Sequence, residues 1–309
     1  MKAVRIHSYG GSDQIRVEDI PTPTPNDNQI LVKVRAVGVN PFDWKVREGY
    51  MKEVMPAQFP LTLGHDFAGE VLQVGKGVHD YKPGDRVYGV GSGAYAEQVI
   101  VSEDKIAKIP PLVDFITAAT IPTAGITAYQ LVMNATQLRE GQTVLIHGAA
   151  GGVGSFAVQL AFWKKAQIFA TADQSDFDYL KELGVRELID FKKERFEDRV
   201  KSVDVVIDLV GGEILKRSLA VVKPGGILAT TVGPLDEKQA AEKNVKGIQF
   251  YAKQNSEDLS EMAKLVADGV LKPRIYEILP LEEAKLAQDR LQKGQSHGKI
   301  ILQVGSQPQ

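Results

Sequence analysis

The chain has 309 residues, 43% hydrophobic and 25% charged, and its 37 basic and 39 acidic side chains leave a formal net charge of −2. That length exceeds what one hydrophobic core ordinarily organises, and the balanced charge gives no electrostatic footprint for a nucleic acid or an anionic membrane. There is no cysteine, which removes disulfides, a thiol nucleophile and every thiolate metal site at once.

No apolar run approaches the roughly 18 residues of a membrane span, and the N-terminus leads into a polar stretch, so a cytoplasmic location is the expectation. The first hundred residues read as short strands separated by Gly/Pro turns: Ile30 to Val39, Phe67 to Val74, Arg86 to Val90 and Tyr95 to Val101. The turns are marked by Pro21 to Pro25, Gly75 to Gly77 and Lys82 to Asp85. This density of short strands predicts a compact, mostly β, barrel-like domain.

From about residue 118 the pattern changes. Strands are predicted at Val144 to His147, Gln167 to Thr171, Glu187 to Asp190, Val203 to Asp208 and Gly226 to Thr231. Helices at Ser155 to Lys164, Phe177 to Leu183 and Ile214 to Val221 alternate with them. Such alternation makes βαβ units, hence an α/β fold with a doubly wound parallel sheet. The last stretch returns to the first pattern, with strands at Arg274 to Leu279 and Lys299 to Val304 around a helix from Leu281 to Leu291, then a frayed tail at 305–309. Residues 1–118 and 273–309 are therefore expected to form one domain, with 119–272 inserted as the second.

The strongest local signal is His147-Gly148-Ala149-Ala150-Gly151-Gly152-Val153-Gly154. Gly151 and Gly154 fall on the second and third glycines of G-x-G-x-x-G, with Ala149 at the first. Between a strand and a helix, the backbone N–H groups from Ala150 to Gly154 can face a pyrophosphate. Gly151 would allow close approach to the ligand and Gly154 close packing of helix on strand. Asp173 lies 19 residues beyond Gly154, at the end of the next strand. There it would either accept ribose hydroxyls or serve as a helix N-cap.

Six landmarks follow one another in order: Asn40-Pro41-Phe42-Asp43-Trp44-Lys45, Gly64 to Gly69, Lys82 to Val87, Ala118 to Tyr129, Ala149 to Gly154 and Gly298 to Leu302. In these the chain resembles the zinc-independent quinone oxidoreductases of the medium-chain dehydrogenase/reductase superfamily, among them ζ-crystallin-like proteins and plant chloroplast enone reductases. The resemblance spans essentially the whole length. It implies a GroES-like, β-rich catalytic domain, a Rossmann cofactor domain and a cleft between them.

The resemblance also implies residue roles. Asn40 matches the asparagine that contacts the nicotinamide ribose region, and Asp43 braces its loop. Lys45 could bind ribose hydroxyls or polarise a substrate carbonyl; a lysine on a surface turn is the competing reading. Thr123 and Thr127 match residues lining the nicotinamide pocket, or simply cap a helix. Val210 and Gly211, Thr231 and Val232, and Lys299 complete the expected cofactor contacts. Zinc-using relatives place a cysteine, a histidine and a second cysteine or acid at the catalytic metal, where this chain has Asn40, His65 and Thr123. An amide, a hydroxyl and one imidazole make a poor zinc set, so no metal is expected.

For the adenosine end, Ser175 and Lys192, with Lys193, stand where a 2′-phosphate would be met, whereas Asp173 and the replacement of a tyrosine by Phe191 point to NADH. NADPH is the expected cofactor and NADH the alternative. The implied activity is reduction of quinones, or of the C=C bond of α,β-unsaturated carbonyls, by hydride transfer to a small-molecule substrate. No nucleic acid or membrane partner is expected; a homodimer is compatible with the resemblance. The rival readings are a zinc-type alcohol dehydrogenase with atypical ligands and a non-enzymatic NADPH-binding or RNA-binding protein.

Overall fold

The computed structural model describes residues 1–305; the expected frayed tail, Gly305 apart, lies outside the described residues. In chain order the first elements are β1 (Lys2–Ile6), β2 (Arg16–Asp19), β3 (Ile30–Gly38), α1 (Pro41–Arg47), β4 (Leu61–Thr62), β5 (Asp66–Val74), β6 (Arg86–Val90), β7 (Gln98–Val101), β8 (Ile106–Lys108), α2 (Phe115–Ala118) and α3 (Pro122–Gln130). Then follow β9 (Thr143–His147), α4 (Gly152–Trp163), β10 (Gln167–Ala172), α5 (Phe177–Glu182), β11 (Glu187–Asp190), α6 (Phe196–Arg199), β12 (Val203–Asp208), α7 (Gly212–Ser218), β13 (Val222–Thr230), α8 (Glu237–Glu242) and β14 (Lys246–Gln249). The chain closes with α9 (Ser256–Ala267), β15 (Ile275–Pro280), α10 (Ala284–Gln292) and β16 (Lys299–Gln303). Among the described residues, no helix is long and apolar enough to cross a membrane.

Two compact units result: Met1–Thr123 with Gln254–Asp268 and Pro273–Gln309, and Ala124–Lys253 with Gly269–Lys272. The first carries a seven-stranded sheet ordered β15-β16-β3-β5-β6-β8, with β7 also pairing β3, and a small sheet β2-β1-β4. Central strand β3 hydrogen-bonds β5, β7 and β16 and is buried along most of its length. That is why its sequence is an apolar run with little alternation.

Helix α1, which the sequence pattern does not predict, begins where Asn40 donates its N–H to Asp43 Oδ2 at 2.8 Å and Pro41 supplies a first-turn φ. Its far end is held by Arg47, whose side chain is fully buried. Arg47 donates to Gly10 O at 3.2 Å, Gln288 Oε1 at 2.8 Å, Gln292 Oε1 at 3.0 Å and Glu48 Oε1 at 2.6 Å. A guanidinium out of water is tolerated only with such partners, so α1 is locked onto α10.

The compact units depart from the expected domain boundaries at two places. Residues 119–123 and 254–268 belong with the β-rich unit, although the sequence pattern assigns them to the βαβ domain. Helix α9 turns Leu259, Met262, Ala263 and Leu265 inward, and Tyr88 donates its hydroxyl to Leu259 O. The apolar stripe finds its partner on β8 rather than on the parallel sheet.

In the second unit six strands run parallel in the order β11-β10-β9-β12-β13-β14. Going outward from β9 the chain first builds one side, β10 then β11, and then crosses to β12 on the other. The ends of β9 and β12 thus flank the switch point where open α/β sheets bind ligands. Leu145, Val206 and Leu228 of the central strands pack with Phe196, Leu215 and Leu219 in its core.

Candidate functional site

Each unit carries its own set of candidate residues. In the parallel-sheet unit, β9 ends at His147 and the glycine turn leads into α4. Gly151 is the N-cap, extended at φ −73° and ψ 178°, and has no side chain to accept a first-turn hydrogen bond. The N–H groups of Gly152, Val153 and Gly154 are therefore left for an acceptor from outside the helix. A Cβ built on Gly151 would meet only Gly148 O, at 3.4 Å, so the space beside it is open. A Cβ on Gly154 would instead run into the backbone of Gly148 and Ala149, 2.7 Å from Ala149 Cα. The two glycines thus separate ligand approach from helix–strand packing. The cradle fits a dinucleotide pyrophosphate.

The neighbouring loops are organised by Asp208, a residue that the sequence motifs leave out. Buried at the end of β12, it accepts from Val210 N at 3.2 Å, Gly211 N at 3.0 Å and Thr230 Oγ1 at 2.8 Å. Burial raises its carboxyl pKa, opposed by these hydrogen bonds. One carboxylate therefore shapes the turn after β12 and ties it to the end of β13, where Thr231 and Val232 follow. Gly211 has φ 79°, and a Cβ there would press on Val232 Cγ1 at 2.7 Å. An apolar strand ending in Asp three residues before a Gly pair is a signal that could have identified it.

His147 lies opposite Asp208 in the strand register and is fully buried. Its Nδ1 is 3.0 Å from Thr171 Oγ1 and its Nε2 3.0 Å from Ser218 Oγ. Burial pushes the imidazole down to about 3, so it is neutral and structural. Ala150, Gly151 to Gly154, Val210, Gly211, Thr231 and Val232 all follow the C-terminal ends of adjacent strands, and the structure brings them to one edge. Thr127, from the same unit, is buried on α3.

Asp173, at the end of β10, caps a short 3-10 turn. Its Oδ1 accepts from Ser175 N at 2.9 Å and Ser175 Oγ at 2.8 Å, and Lys192 ion-pairs with Oδ2. The Lys192 ammonium, then the Ser175 N–H, hold this carboxyl well below the ordinary range. Lys193 ion-pairs with Asp190 at 3.5 Å. Phe191 is exposed.

In the β-rich unit a polar cluster forms at the ends of three adjacent strands, β16, β3 and β5. Lys299 opens β16 and is 3% exposed. Its ammonium donates to Val39 O at 3.0 Å and Asn40 Oδ1 at 2.6 Å, and lies 3.7 Å from Asp66 Oδ2. Asp66 in turn accepts from Thr123 Oγ1 at 2.5 Å and Thr123 N at 3.1 Å. Asp43 Oδ2 accepts from Asn40 N and from the Tyr95 hydroxyl, each at 2.8 Å. Burial, reinforced by the charge of Asp66, pushes Asp43 up to about 7. Burial also lowers the Lys299 pKa, against the opposing pull of Asp66 and Asp43. Lys299, expected among the cofactor contacts, therefore directs its charge into this internal cluster.

Lys45 is half-buried on α1, with its ammonium 5.7 Å from the centroid of the Trp44 ring. His65 packs edge-on against Phe42 at 5.4 Å. The three positions at which zinc-using relatives carry ligands do not fit that ion. Asn40 Oδ1 is engaged by an ammonium, Thr123 Oγ1 donates to a carboxylate, and His65 stands as the one good donor of the three.

Comparisons with known proteins agree with this geometry. The alcohol dehydrogenase GroES-like domain family matches residues 26–111, and the zinc-binding dehydrogenase family residues 183–302. The quinone oxidoreductase of Sus scrofa is 32% identical, with 98% of this chain and 97% of that protein covered. Among solved structures, the quinone oxidoreductase of Coxiella burnetii superposes with a TM-score of 0.92 at 34% identity, covering 99% of each chain. The Escherichia coli quinone oxidoreductase, solved in complex with NADPH, gives 0.90 at 27% identity, covering 98% of this chain and 100% of that one. With its glycine turn, its sheet order and this full-length similarity, the chain belongs to the quinone oxidoreductase family of the medium-chain dehydrogenase/reductase superfamily.

Proposed function

We propose that the chain reduces quinones, or the C=C bond of α,β-unsaturated carbonyls, with NADPH in preference to NADH and without zinc. The observation that carries this reading is the open Gly151 cradle at the switch point of the parallel sheet. The NADPH complex of the E. coli relative supports the choice of cofactor, and the engaged donors at Asn40 and Thr123 support zinc independence.

The N–H groups of Gly152, Val153 and Gly154 hold the pyrophosphate, aided by the helix dipole. Asp208 keeps Val210 and Gly211, and through Thr230 the start of the Thr231–Val232 segment, in place beside it. The resemblance implies that Thr127 would line the nicotinamide pocket and that Asn40 would contact the nicotinamide ribose. When bound, the dihydronicotinamide supplies a hydride to the electrophilic carbon of the acceptor. Lys45, whose ammonium lies 5.7 Å from the Trp44 ring centroid, would stabilise the negative charge that develops on the acceptor oxygen. Water delivers the proton, so no buried general acid is required.

Steady-state oxidation of NADPH and NADH with 1,2-naphthoquinone and a set of enones tests this directly. Acceptor-dependent turnover that survives chelation is the expected result. Cofactor binding with no turnover on any acceptor would reduce the protein to a dinucleotide binder.

A further inference from the structure

The polar cluster at the ends of β16, β3 and β5 is short of one positive charge. Asp43, Asp66 and Lys299 are each at most 3% exposed, so bulk water does not screen them. Lys299 keeps its proton, because its ammonium faces three acceptors, Val39 O, Asn40 Oδ1 and Asp66 Oδ2, at 3.0, 2.6 and 3.7 Å. Two carboxylates against one ammonium leave an uncompensated negative charge out of water unless one of the acids is protonated. The partners decide which acid that is. Asp66 has the ammonium and both donors of Thr123. Asp43 has two neutral donors, Asn40 N and the Tyr95 hydroxyl, each 2.8 Å from Oδ2, and among the described residues no cation pairs with it. The charged or titratable groups that face it are Asp66 from β5, Lys299 from β16 and Tyr95 from the turn before β7. Arg47, one turn further along α1, is directed to Glu48, Gln288 and Gln292 instead, and the buried Gln288 of α10 is uncharged. Both lone pairs of Asp43 Oδ2 are taken, so the proton is carried on Oδ1.

We propose that Asp43 is a proton-operated latch for α1, closing the helix onto the β-rich unit while it is protonated and loosening it once the proton leaves. Burial, with the charge of Asp66 adding to it, places that release at about 7. The ionised side chain reaches water most cheaply by moving α1, a segment of seven residues. Asp66 has no such freedom, since it is paired with Gly38 of β3 on one side and Val90 of β6 on the other. In the open form Asp43 is hydrated and has an ordinary carboxyl pKa of about 3.9. Between about pH 4 and pH 7 only the closed form holds the proton, so the latch is complete below that window and is lost as pH rises through it. It operates within one unit and needs neither cofactor nor substrate.

Infrared spectroscopy and amide hydrogen exchange on the full chain test this, with Asp43→Asn as the permanently neutral form. Its amide oxygen can still accept from Asn40 N and the Tyr95 hydroxyl. The wild type should show the carbonyl stretch of a protonated carboxyl that disappears between about pH 6 and pH 8 and is missing from Asp43→Asn. After correction for intrinsic exchange, the opening constant of the α1 amides should rise about 100-fold from about pH 5 to pH 8 in the wild type, and less than about threefold in Asp43→Asn. Should Asp43→Asn fail to fold, Asp66→Asn decides. It removes the second carboxylate and can still accept from Thr123 N and donate to Thr123 Oγ1, so the infrared midpoint should fall by about one pH unit or more. The latch is overturned if no carboxyl band titrates in the wild type, or if the band persists in Asp43→Asn. It is equally overturned by a midpoint that Asp66→Asn leaves in place, or by α1 opening that is flat in the wild type or as steep in Asp43→Asn.

Discussion

The carboxylate of Asp173 is held by the ammonium of Lys192, 19 residues further along the chain, so the acid and the base that would decide between NADH and NADPH are partners of one another. Each neutralises what the other would do to a 2′-phosphate. Asp173→Ser removes the repelling charge and releases Lys192. It is expected to raise kcat/KM for NADPH relative to NADH by more than about threefold, and Lys192→Ala to lower the same ratio. If neither variant moves the ratio, Asp173 acts only as the cap of its turn and cofactor choice lies elsewhere.

The two glycines of the turn should respond differently to a side chain. Gly151 has an ordinary φ and an open Cβ position. Gly151→Val should therefore stay folded, with a stability loss of about 1 kcal/mol from a poorer N-cap, while the cofactor Kd rises more than about tenfold. Gly154→Ala forces a methyl into the backbone of Gly148 and Ala149 and should cost more, about 2–3 kcal/mol of stability. Paired calorimetric binding and urea melts distinguish the two; equal stability losses would contradict the assignment.

His147 predicts an acid dependence of stability. It is neutral in the folded state, pushed down to about 3, against a reference value near 6.5 when unfolded. Its contribution is complete above pH 6.5 and is lost as pH falls toward 3, because the unfolded chain binds the proton first. Between about pH 7 and pH 4.5 this amounts to about 2–3 kcal/mol. His147→Gln can still bond the Ser218 hydroxyl, and its unfolding free energy should fall by that much less over the same interval. An unchanged pH slope would show that His147 does not report this linkage.

Zinc should be neither present in stoichiometric amount nor required. An ion at Asn40, His65 and Thr123 would have to displace Lys299 from Asn40 Oδ1 and share Thr123 with Asp66. Elemental analysis of tag-free protein and activity after chelation check this. One zinc per chain with chelator-sensitive turnover refutes it.

Patterns confined to neighbouring residues are legible in the amino-acid sequence by itself. The short strands β6, β11 and β12 appear at the residues expected from the sequence. The strand–turn–helix setting of Gly151 and Gly154 is likewise local, because each glycine's role depends on the few residues around it. Helix α1 is not legible in this way, because it is a single capped segment of seven residues with no long apolar stripe to betray it.

Tertiary structure alone decided the partners of buried polar groups. The resemblance makes Lys299 a cofactor contact, and only the placement of β16 beside β3 shows its ammonium set against Asn40, 259 residues away in sequence. Arg47, on which the sequence motifs are silent, finds its partners Gln288 and Gln292 only once α10 is laid beside α1. Helix α9 has a readable stripe, yet nothing in the stripe says which sheet will cover it. Sequence periodicity determines which side of an element is apolar, whereas the identity of the facing element follows from strand order and chain crossing. A buried charge can be assigned a role only once that neighbour is in place.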